Sequence, residues 1–194
     1  MIYLPDVTLI AVTGRDITAH WQALNKSSKD IEFGDIKLIE KHFDSIDDWS
    51  KYIVFNLTDH INTKFALLIH ADGYVINPQV WNPDWLNYDF IGAPWPLPTD
   101  SFSYRDTKGV IQRVGNSVSL RSKRLLDLPK KIHMEWKSFH GFYNEDGFIS
   151  VNMRHVFEEN GCTFAPLDVA VHFSKEHTIE ENKDIDKTFC FHSI

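Results

Sequence analysis

The chain has 194 residues, 43% of them hydrophobic and 24% charged, with a formal net charge of -7 at pH 7. This length predicts one domain with a core of its own. The acidic balance argues against a nucleic-acid-binding protein, which normally presents a basic face. The two widely separated cysteines, Cys162 and Cys190, argue against a disulfide framework.

The hydropathy pattern indicates a protein without a targeting or membrane segment. The N-terminus, MIYLPDVTLIAV, has no basic residues before its apolar run and meets Pro5 and Asp6 early, unlike a secretory signal peptide. No apolar stretch approaches the length needed to cross a bilayer. We therefore expect a cytoplasmic protein without a membrane span.

Strand and helix patterns alternate through the first half of the sequence. Residues 6–13 form a continuous apolar, β-branched run, which predicts a buried parallel strand. Ile17, Trp21 and Leu24 recur at helical spacing and predict a helix over residues 16–28. Similar patterns predict a strand over 33–39, a helix over 47–61, a strand over 65–69 and a short strand that ends before Pro78.

The second half contains more varied patterns. An acidic start at Glu145 and a stop at Gly161 predict a helix between them, and residues 162–173 predict a last strand. The other predicted elements are a short helix over 79–87, a strand over 88–96, a polar loop over 97–109, a strand over 114–122 and a basic helix near 122–128.

This order of elements predicts an α/β fold, a single Rossmann-like domain with a mixed, mostly parallel central sheet flanked by helices. Ligands of such sheets bind beyond the carboxyl ends of the strands. That rule places Thr13, His70, Asp72 and Gly73 at one rim of the sheet.

The polar triplet His70, Ala71 and Asp72 interrupts an apolar strand at its carboxyl end. Buried strands do not normally finish with such side chains unless these have partners. Alternate residues of an extended chain point to one side, so His70 and Asp72 are candidates to bind one Mg²⁺ or Mn²⁺, with the imidazole favouring Mn²⁺. An equally simple interpretation is a tight turn, in which Asp72 and Gly73 are a common pair.

A set of segments keeps its order over nearly the whole chain, residues 4–192. The segments are LPDVTLIAVTG, FGDIKLI, DDWSKYIVFNL, LLIHADGYVINPQVW, YDFIGAPWP, VGNSVSLRS, NEDGFIS, CTFAPLDVAVHFS and FCFH. Together they resemble a family of small glycosyltransferase-like domains with a GT-A fold, found in glycan assembly. The resemblance implies a nucleotide-binding half, residues 1–95, and an acceptor-binding and catalytic half, residues 96–194.

The resemblance also implies where a nucleotide and a metal bind. In GT-A enzymes an Asp-x-Asp-like motif binds the metal and the diphosphate, and it matches His70 and Asp72, with a histidine in place of the first acidic residue. A late histidine often completes the metal shell, and His192 matches it. The first strand and its turn hold the base and ribose, which assigns those contacts to Ala11, Val12, Thr13 and Arg15.

The catalytic groups implied by the resemblance are acidic residues at a helix start. In inverting members the base occupies the position of Asp146, with Glu145 as its neighbour. One carboxylate that takes the acceptor's proton suffices for a single displacement with inversion, and a metal stabilises the leaving diphosphate. Without the resemblance, Glu145 and Asp146 are ordinary charges at a helix N-terminus.

Three further positions have both a functional and a structural interpretation. Gly115 and Asn116 interrupt a strand, either to let a donor sugar approach the backbone or as an ordinary β-bulge. Lys51 is a candidate phosphate ligand or a solvated helix lysine. Trp95 is our candidate for stacking on a sugar ring, although most tryptophans belong to the core.

The function implied is metal-dependent transfer, with inversion, of a hexosyl or deoxyhexosyl group. The donor is a nucleotide-diphosphate-sugar, with a UDP-sugar favoured, and the acceptor is a glycan hydroxyl. One alternative is a module of the same fold that binds a nucleotide-sugar or glycan without catalysis, as the histidine in the metal motif suggests. Another is a metal-dependent phosphohydrolase, which usually needs more clustered carboxylates than Asp72 offers.

Overall fold

The structure, a computed structural model, describes residues 1–137 and 144–193. Its main strands are β1 (Ile2–Thr13), β2 (Ile31–Glu40), β3 (Phe65–Leu68), β4 (Phe90–Pro94) and β5 (Val114–Ser122). They form one five-stranded sheet in the order β2-β1-β3-β5-β4.

The strand directions give the sheet its mixed character. β1 pairs in parallel with β2 and with β3, whereas β5 runs antiparallel to both β3 and β4. Four of the five strands, all except β5, therefore point in one direction. This confirms the predicted α/β fold with a mixed, mostly parallel sheet.

Helices flank the sheet. The α-helices are α1 (Ile17–Ser27), α2 (Ile46–Asn56), α3 (Lys123–Lys131), α4 (Glu145–Gly147), α5 (Arg154–Glu159) and α6 (Leu167–Phe173). Short 3₁₀ helices cover Leu57–His60, Pro78–Val80, Pro83–Asn87 and Glu180–Asn182, and a π-helix covers Phe148–Asn152. In the described part of the chain, no helix combines the length and apolarity required to span a bilayer.

The side chains of β1 alternate between two halves of the core. Leu9 and Ala11 pack in the cluster that includes α1 and α6, whereas Ile10 and Val12 pack in the cluster that includes α2 and α3. All four are at most 2% exposed. Because both faces of the strand are covered, its sequence is a continuous apolar run without polar alternation.

The start of α2 shows a common local signal. The Ser45 side chain accepts a hydrogen bond from the Asp48 backbone N–H at 3.1 Å, and Asp47 and Asp48 place negative charge in the first turn. The helix predicted over residues 47–61 is confirmed in its main part, and its final turn is the 3₁₀ helix Leu57–His60.

Two predicted strands are wrong. Residues 162–173 contain the helix α6, and Phe164 makes only an isolated bridge to Phe90. Short apolar runs fit a buried helix as well as a strand, and Pro166 directly before α6 suits a helix start. The strand expected before Pro78 is reduced to a single bridge between Val75 and Cys190.

The C-terminal tail is tied to the rest of the fold by a short parallel pair, β6 (Ser174–Lys175) with β7 (Cys190–Phe191). The backbone N–H of Phe191 donates to the Tyr74 carbonyl at 3.2 Å, and that of Ser193 donates to the Asp72 carbonyl at 2.9 Å. These bonds hold the tail against the segment that follows β3.

Candidate functional site

A cavity of about 520 Å³ lies at the carboxyl ends of β1 and β3. Thr13 and Arg15 reach it from the end of β1, and His70 and Asp72 reach it from the turn after β3. Asn116 joins them from β5, whose antiparallel direction brings its first residues to the same rim. The rim predicted from the strand order therefore exists, and it encloses a cavity.

Residues His70 to Gly73 form a tight turn. The His70 N–H donates to the Gly73 carbonyl at 2.8 Å, and the Gly73 N–H donates back at 3.4 Å. The premise that this segment is extended, with His70 and Asp72 on one side by alternation, is therefore wrong. Both side chains still line the cavity, because the turn itself is at its wall.

His192 lies between two carboxylates at this wall. Its Nε2 is 3.7 Å from Asp72 Oδ1, and its Nδ1 is 3.4 Å from Glu176 Oε1, the separation of an ion pair rather than of a well-aligned hydrogen bond. Burial alone would lower the pKa of His192, but Glu176, followed by Asp72, raises it above the ordinary histidine value. The two carboxylates therefore favour the protonated form of this ring.

Glu176 is a site residue that sequence reasoning missed. Burial alone would raise its pKa, but His192 and a hydrogen bond from the Asn116 side chain hold the pKa below the usual range. The Lys175 carbonyl, one residue earlier, accepts from the His192 N–H at 3.0 Å. The sequence shows only a charged segment here, because the contact exists only through the pairing of β6 with β7.

His70 is held as a neutral imidazole. Burial, followed by the charges of His192, His20 and Arg121, lowers its pKa to about 3. Its ring lies 5.4 Å from that of His192 and 5.3 Å from that of Trp49. Its Nε2 is buried and has no hydrogen-bond partner among the described residues.

Glu145 and Asp146 are adjacent, and their side chains diverge. Glu145 is 1% exposed, and its Oε1 accepts from Arg121 at 2.9 Å and from the Ser117 hydroxyl at 2.6 Å. Arg121 is itself fully buried, and its Nε donates to the Ser119 hydroxyl at 2.8 Å. Glu145 is thus half of a buried ion pair that joins α4 to β5.

The Asp146 side chain faces two cavities instead of a charged partner. It is half-buried and lines both the first cavity and a second cavity of about 440 Å³. Burial, followed by the charge of Glu145, raises its pKa to about 7. A carboxylate with this affinity for protons, placed in a cleft, has the properties of a general base.

Trp95 forms part of the wall of the second cavity, but it is only 6% exposed. Tyr104 stacks on it with ring centroids 4.8 Å apart at 13°. A Cβ at Gly115 would lie 1.9 Å from the Trp95 ring, so the ring also packs against the Gly115 backbone. Trp95 therefore offers little ring surface to a sugar, contrary to the expectation that it would stack on one.

The first cavity collects most of the predicted site residues and omits some. Ala11 is fully buried, Ala71 is half-buried, Lys51 is exposed on α2, and Gly115 lies against Trp95; none of these four lines it. The predicted residues that do line it are Val12, Thr13, Arg15, His70, Asp72, Asn116, Glu145, Asp146 and His192. Residues that were not predicted include His20, His42, Trp49, Ser117, Asn144 and Glu176.

The cavity wall offers limited donors for a metal. Asp72 and His192 provide a carboxylate oxygen and a ring nitrogen 3.7 Å apart. Within residues 1–137 and 144–193, no group of three or more His, Cys, Asp or Glu side chains is arranged to hold a metal ion. Because Mg²⁺ is often bound through one or two protein ligands plus substrate phosphates, this pair fits such an ion in the company of a diphosphate.

Comparisons with known proteins identify a protein of the same fold and the family to which the chain belongs. Among curated protein sequences, none matches this chain. The crystal structure of a glycosyltransferase involved in the glycosylation of the major capsid of PBCV-1 matches with a TM-score of 0.56 and 14% identity, over 96% of this chain and 91% of that one. At this identity the match shows a shared fold. A family model described as "Protein of unknown function" matches residues 34–192, so the chain belongs to the DUF5672 family.

Proposed function

We propose that the protein is a glycosyltransferase of the GT-A type that moves a hexosyl or deoxyhexosyl group from a nucleotide-diphosphate-sugar to a glycan hydroxyl. The observation that carries this proposal is Asp146, a carboxylate with a raised pKa where two cavities meet. The glycosyltransferase that shares the fold supports the same reaction class.

The first cavity is suited to the donor. It lies beyond the carboxyl ends of parallel strands, where open α/β sheets bind their ligands. Arg15, at its wall, offers positive charge to a diphosphate. Val12 and Thr13 would contact the base and ribose, and we favour a UDP-sugar.

Asp146 would act in the transfer step as follows. An acceptor hydroxyl oxygen attacks the anomeric carbon and forms the new glycosidic bond, while the bond from that carbon to the diphosphate oxygen breaks. The electron pair leaves with the diphosphate, and the hydroxyl proton goes to the Asp146 carboxylate. One base and one displacement invert the anomeric configuration.

Asp72 and His192 would hold a divalent cation, Mn²⁺ or Mg²⁺, together with the donor's diphosphate. When bound, the ion would supply Lewis-acid stabilisation of the charge on the leaving group. His70 supports this arrangement from behind, because its neutral ring stacks on His192 and helps to fix the orientation of that ring. Glu176, on the other side of the His192 ring, also helps to fix the orientation of that ring.

The proposal is tested by incubating the protein with UDP-, GDP- and dTDP-sugars and Mn²⁺, and by measuring the products. With water as acceptor, we expect slow release of the nucleoside diphosphate and the free sugar. With a suitable glycoside, we expect faster release of the nucleoside diphosphate and a product in which the sugar is joined to that glycoside. Release of a nucleoside monophosphate or of phosphate would indicate a phosphohydrolase. Tight nucleotide binding without any turnover would leave the alternative, a binding module without catalysis.

A further inference from the structure

The second cavity shares part of its wall with the first. Asn144, Asp146 and Glu176 line both, so the two spaces meet at the carboxylate proposed as the base. The rest of the second wall comes from residues 102–107 on one side and from Val151 and Asn152 of the π-helix on the other. A molecule in this cavity would therefore lie next to Asp146 without displacing the donor.

The aromatic side chains of Trp95, Phe102 and Tyr104 line this cavity, and Tyr104 has an ordered support. Its ring stacks on Trp95, which itself packs against the Gly115 backbone, so the wall has an ordered backing. The Tyr104 carbonyl accepts from the Gln112 N–H at 2.7 Å, which ties this loop to the chain leading into β5. A preformed wall lowers the entropy that a ligand must lose on binding.

The loop that carries Tyr104 is closed by Asp106. The Asp106 Oδ1 accepts from the N–H groups of Lys108 and Val110, both at 2.9 Å, and its Oδ2 accepts from Gln112 Nε2 at 2.9 Å. Together with the stacked rings, these bonds define a cavity shape before any ligand arrives.

Polar groups surround the aromatic wall. Ser103 and Thr107 contribute hydroxyls, Asn152 contributes an amide, and His177 contributes an imidazole. Aromatic surface with several hydrogen-bonding side chains is the usual composition of a site for a small polar molecule. A pyranose, with an apolar face and a rim of hydroxyls, matches that composition.

The charges of the cavity select against anions. Asp146 and Glu176 stand at its base, and Asp106 adds a third carboxylate to the wall. One guanidinium in the wall, that of Arg105, donates to the carbonyls of Ser101 at 2.9 Å and Gly109 at 3.4 Å. Because three carboxylates outnumber this one guanidinium among the described residues, a carboxylate or phosphate on the ligand would meet net repulsion.

We infer that the second cavity binds an uncharged saccharide, with Tyr104 as the stacking wall, and that this saccharide is the acceptor. The inference rests on the proposed function, because the acceptor role requires Asp146 to be the base. The acceptors would be neutral glycans rather than uronic acids or phosphorylated sugars. Tyr104, and not Trp95, would be the residue in contact with the sugar.

The test is saturation-transfer NMR with methyl glycosides of glucose, galactose, mannose and xylose, and with methyl glucuronide as the anionic probe. We expect at least one neutral glycoside to bind, and the glucuronide to bind about tenfold more weakly, since one repelling charge at moderate screening costs about that factor. Tyr104→Ala should reduce neutral-glycoside binding about tenfold, whereas Tyr104→Phe should keep it.

Tyr3→Ala is the matched control, because Tyr3 is 68% exposed on β1 and does not line either cavity. Thermal unfolding of each variant checks that the fold is kept. The inference is overturned if no neutral glycoside binds, if Tyr104→Ala binds as well as the parent, or if the glucuronide binds equally.

Calorimetry with UDP and Mn²⁺ on the same samples separates this inference from the proposed function. Nucleotide binding without glycoside binding would overturn the inference and leave the proposed donor site standing. Glycoside binding that depends on Tyr104, without nucleotide binding or turnover, would overturn the proposed function and the acceptor role, and would keep the saccharide site.

Discussion

Glu145 and Asp146 occupy different surroundings although they are neighbours in the chain. Glu145 points inward to Arg121 and Ser117, and Asp146 points to the space where two cavities meet. The oppositely charged Arg121 engages Glu145 in a buried structural ion pair. Burial without such a direct ion pair gives Asp146 its raised pKa.

Asp146→Asn should lower turnover by about a hundred- to ten-thousand-fold, the usual contribution of a general base, while nucleotide affinity stays within about twofold of the parent. Steady-state kinetics and calorimetry measure the two effects. Equal losses in both measurements would make Asp146 a binding residue instead.

The pH profile of turnover should follow the same side chain. A base acts only when it is ionised, and the pKa of Asp146 is raised to about 7. The rate should therefore rise as the pH increases from about 6 to about 8 and level off above that range. A rate that is flat over this interval would show that another group is the base.

Glu145→Gln should destabilise the fold by about 3 kcal/mol, because Arg121 would be left as a buried charge without its ion-pair partner. Urea unfolding measures the loss. The double variant Glu145→Gln, Arg121→Met should recover part of it, since the buried charge is then removed. If the single variant unfolds like the parent, the ion pair contributes no net stability. Glu145→Gln is for this reason unsuitable as a catalytic control for Asp146.

At the scale of elements, the tail and the turn after β3 depend on each other. A Cβ at Gly73 would lie 2.6 Å from His192 Cδ2 and 2.6 Å from Val118 Cγ2. The absence of a side chain at Gly73 therefore lets His192 pack against the turn and reach Asp72.

Gly73→Ala should move the tail and cost about 1–3 kcal/mol, the usual cost of overpacking. Thermal or urea unfolding measures the stability, and nucleotide binding with Mn²⁺ should weaken in parallel. Gly147→Ala is the matched control, because a Cβ there meets no atom within 4 Å among the described residues. A Gly73→Ala variant as stable as the control would show that the tail adjusts freely.

Asp89 joins β4, α3 and the segment before α6. It is 5% exposed and accepts from the Ser122 hydroxyl, from Arg124 and from the Thr163 N–H. Burial alone would raise the pKa of Asp89, but the hydrogen bonds from Arg124, Ser122 and Thr163 and the Arg124 charge lower it.

Asp89→Asn should destabilise the protein by about 2–3 kcal/mol at neutral pH, the range for hydrogen bonds to a charged group. Because the folded-state pKa is depressed, this contribution is present above the ordinary aspartate pKa and is lost as the pH falls through the lowered value. Parent and variant should therefore converge in acid, as urea unfolding at several pH values would show. Asp84→Asn, at an exposed position, should change little.

At the scale of the whole molecule, the proposed donor site combines segments from both halves of the chain. The first cavity takes residues from β1, the turn after β3, β5, α4 and the tail. A ligand that bridges these segments stabilises the folded state against the unfolded one. The predicted division into nucleotide-binding and acceptor-binding halves stays a prediction, and residues 96–194 supply part of the proposed donor site.

UDP with Mn²⁺ should raise the midpoint of thermal unfolding, by the equivalent of about 2.7 kcal/mol when the ligand is at 100 times its Kd. Asp72→Asn should remove the part of this shift that depends on Mn²⁺, and His192→Ala should remove less of it, because His192 would supply one neutral ligand. Asp72 has a side chain 65% exposed, so its replacement should leave the unliganded protein as stable as the parent. If the shift is unchanged in Asp72→Asn, Asp72 serves only the turn and does not bind the metal.

Several features of this protein follow from local sequence patterns. The apolar run of β1, the capping signal before α2 and the strand that leads into His70 are each recognisable from a few neighbouring residues. Strand order then places Thr13, His70 and Asp72 at one rim, because parallel strands end on the same side of a sheet. The fold class and the position of the first cavity were predictable for these reasons.

Other features depend on contacts between distant segments, and only the tertiary structure decided them. The apolar run in residues 162–173 fits a strand and a helix equally, and packing against β4 selects the helix α6. Glu176 lies beside His192 because β6 pairs with β7, and Tyr104 lies over Trp95 in a loop that Asp106 closes. Burial and neighbouring charge, which separate the roles of Glu145 and Asp146, are likewise properties of the packed molecule, since an extended chain gives both carboxylates the same solvent.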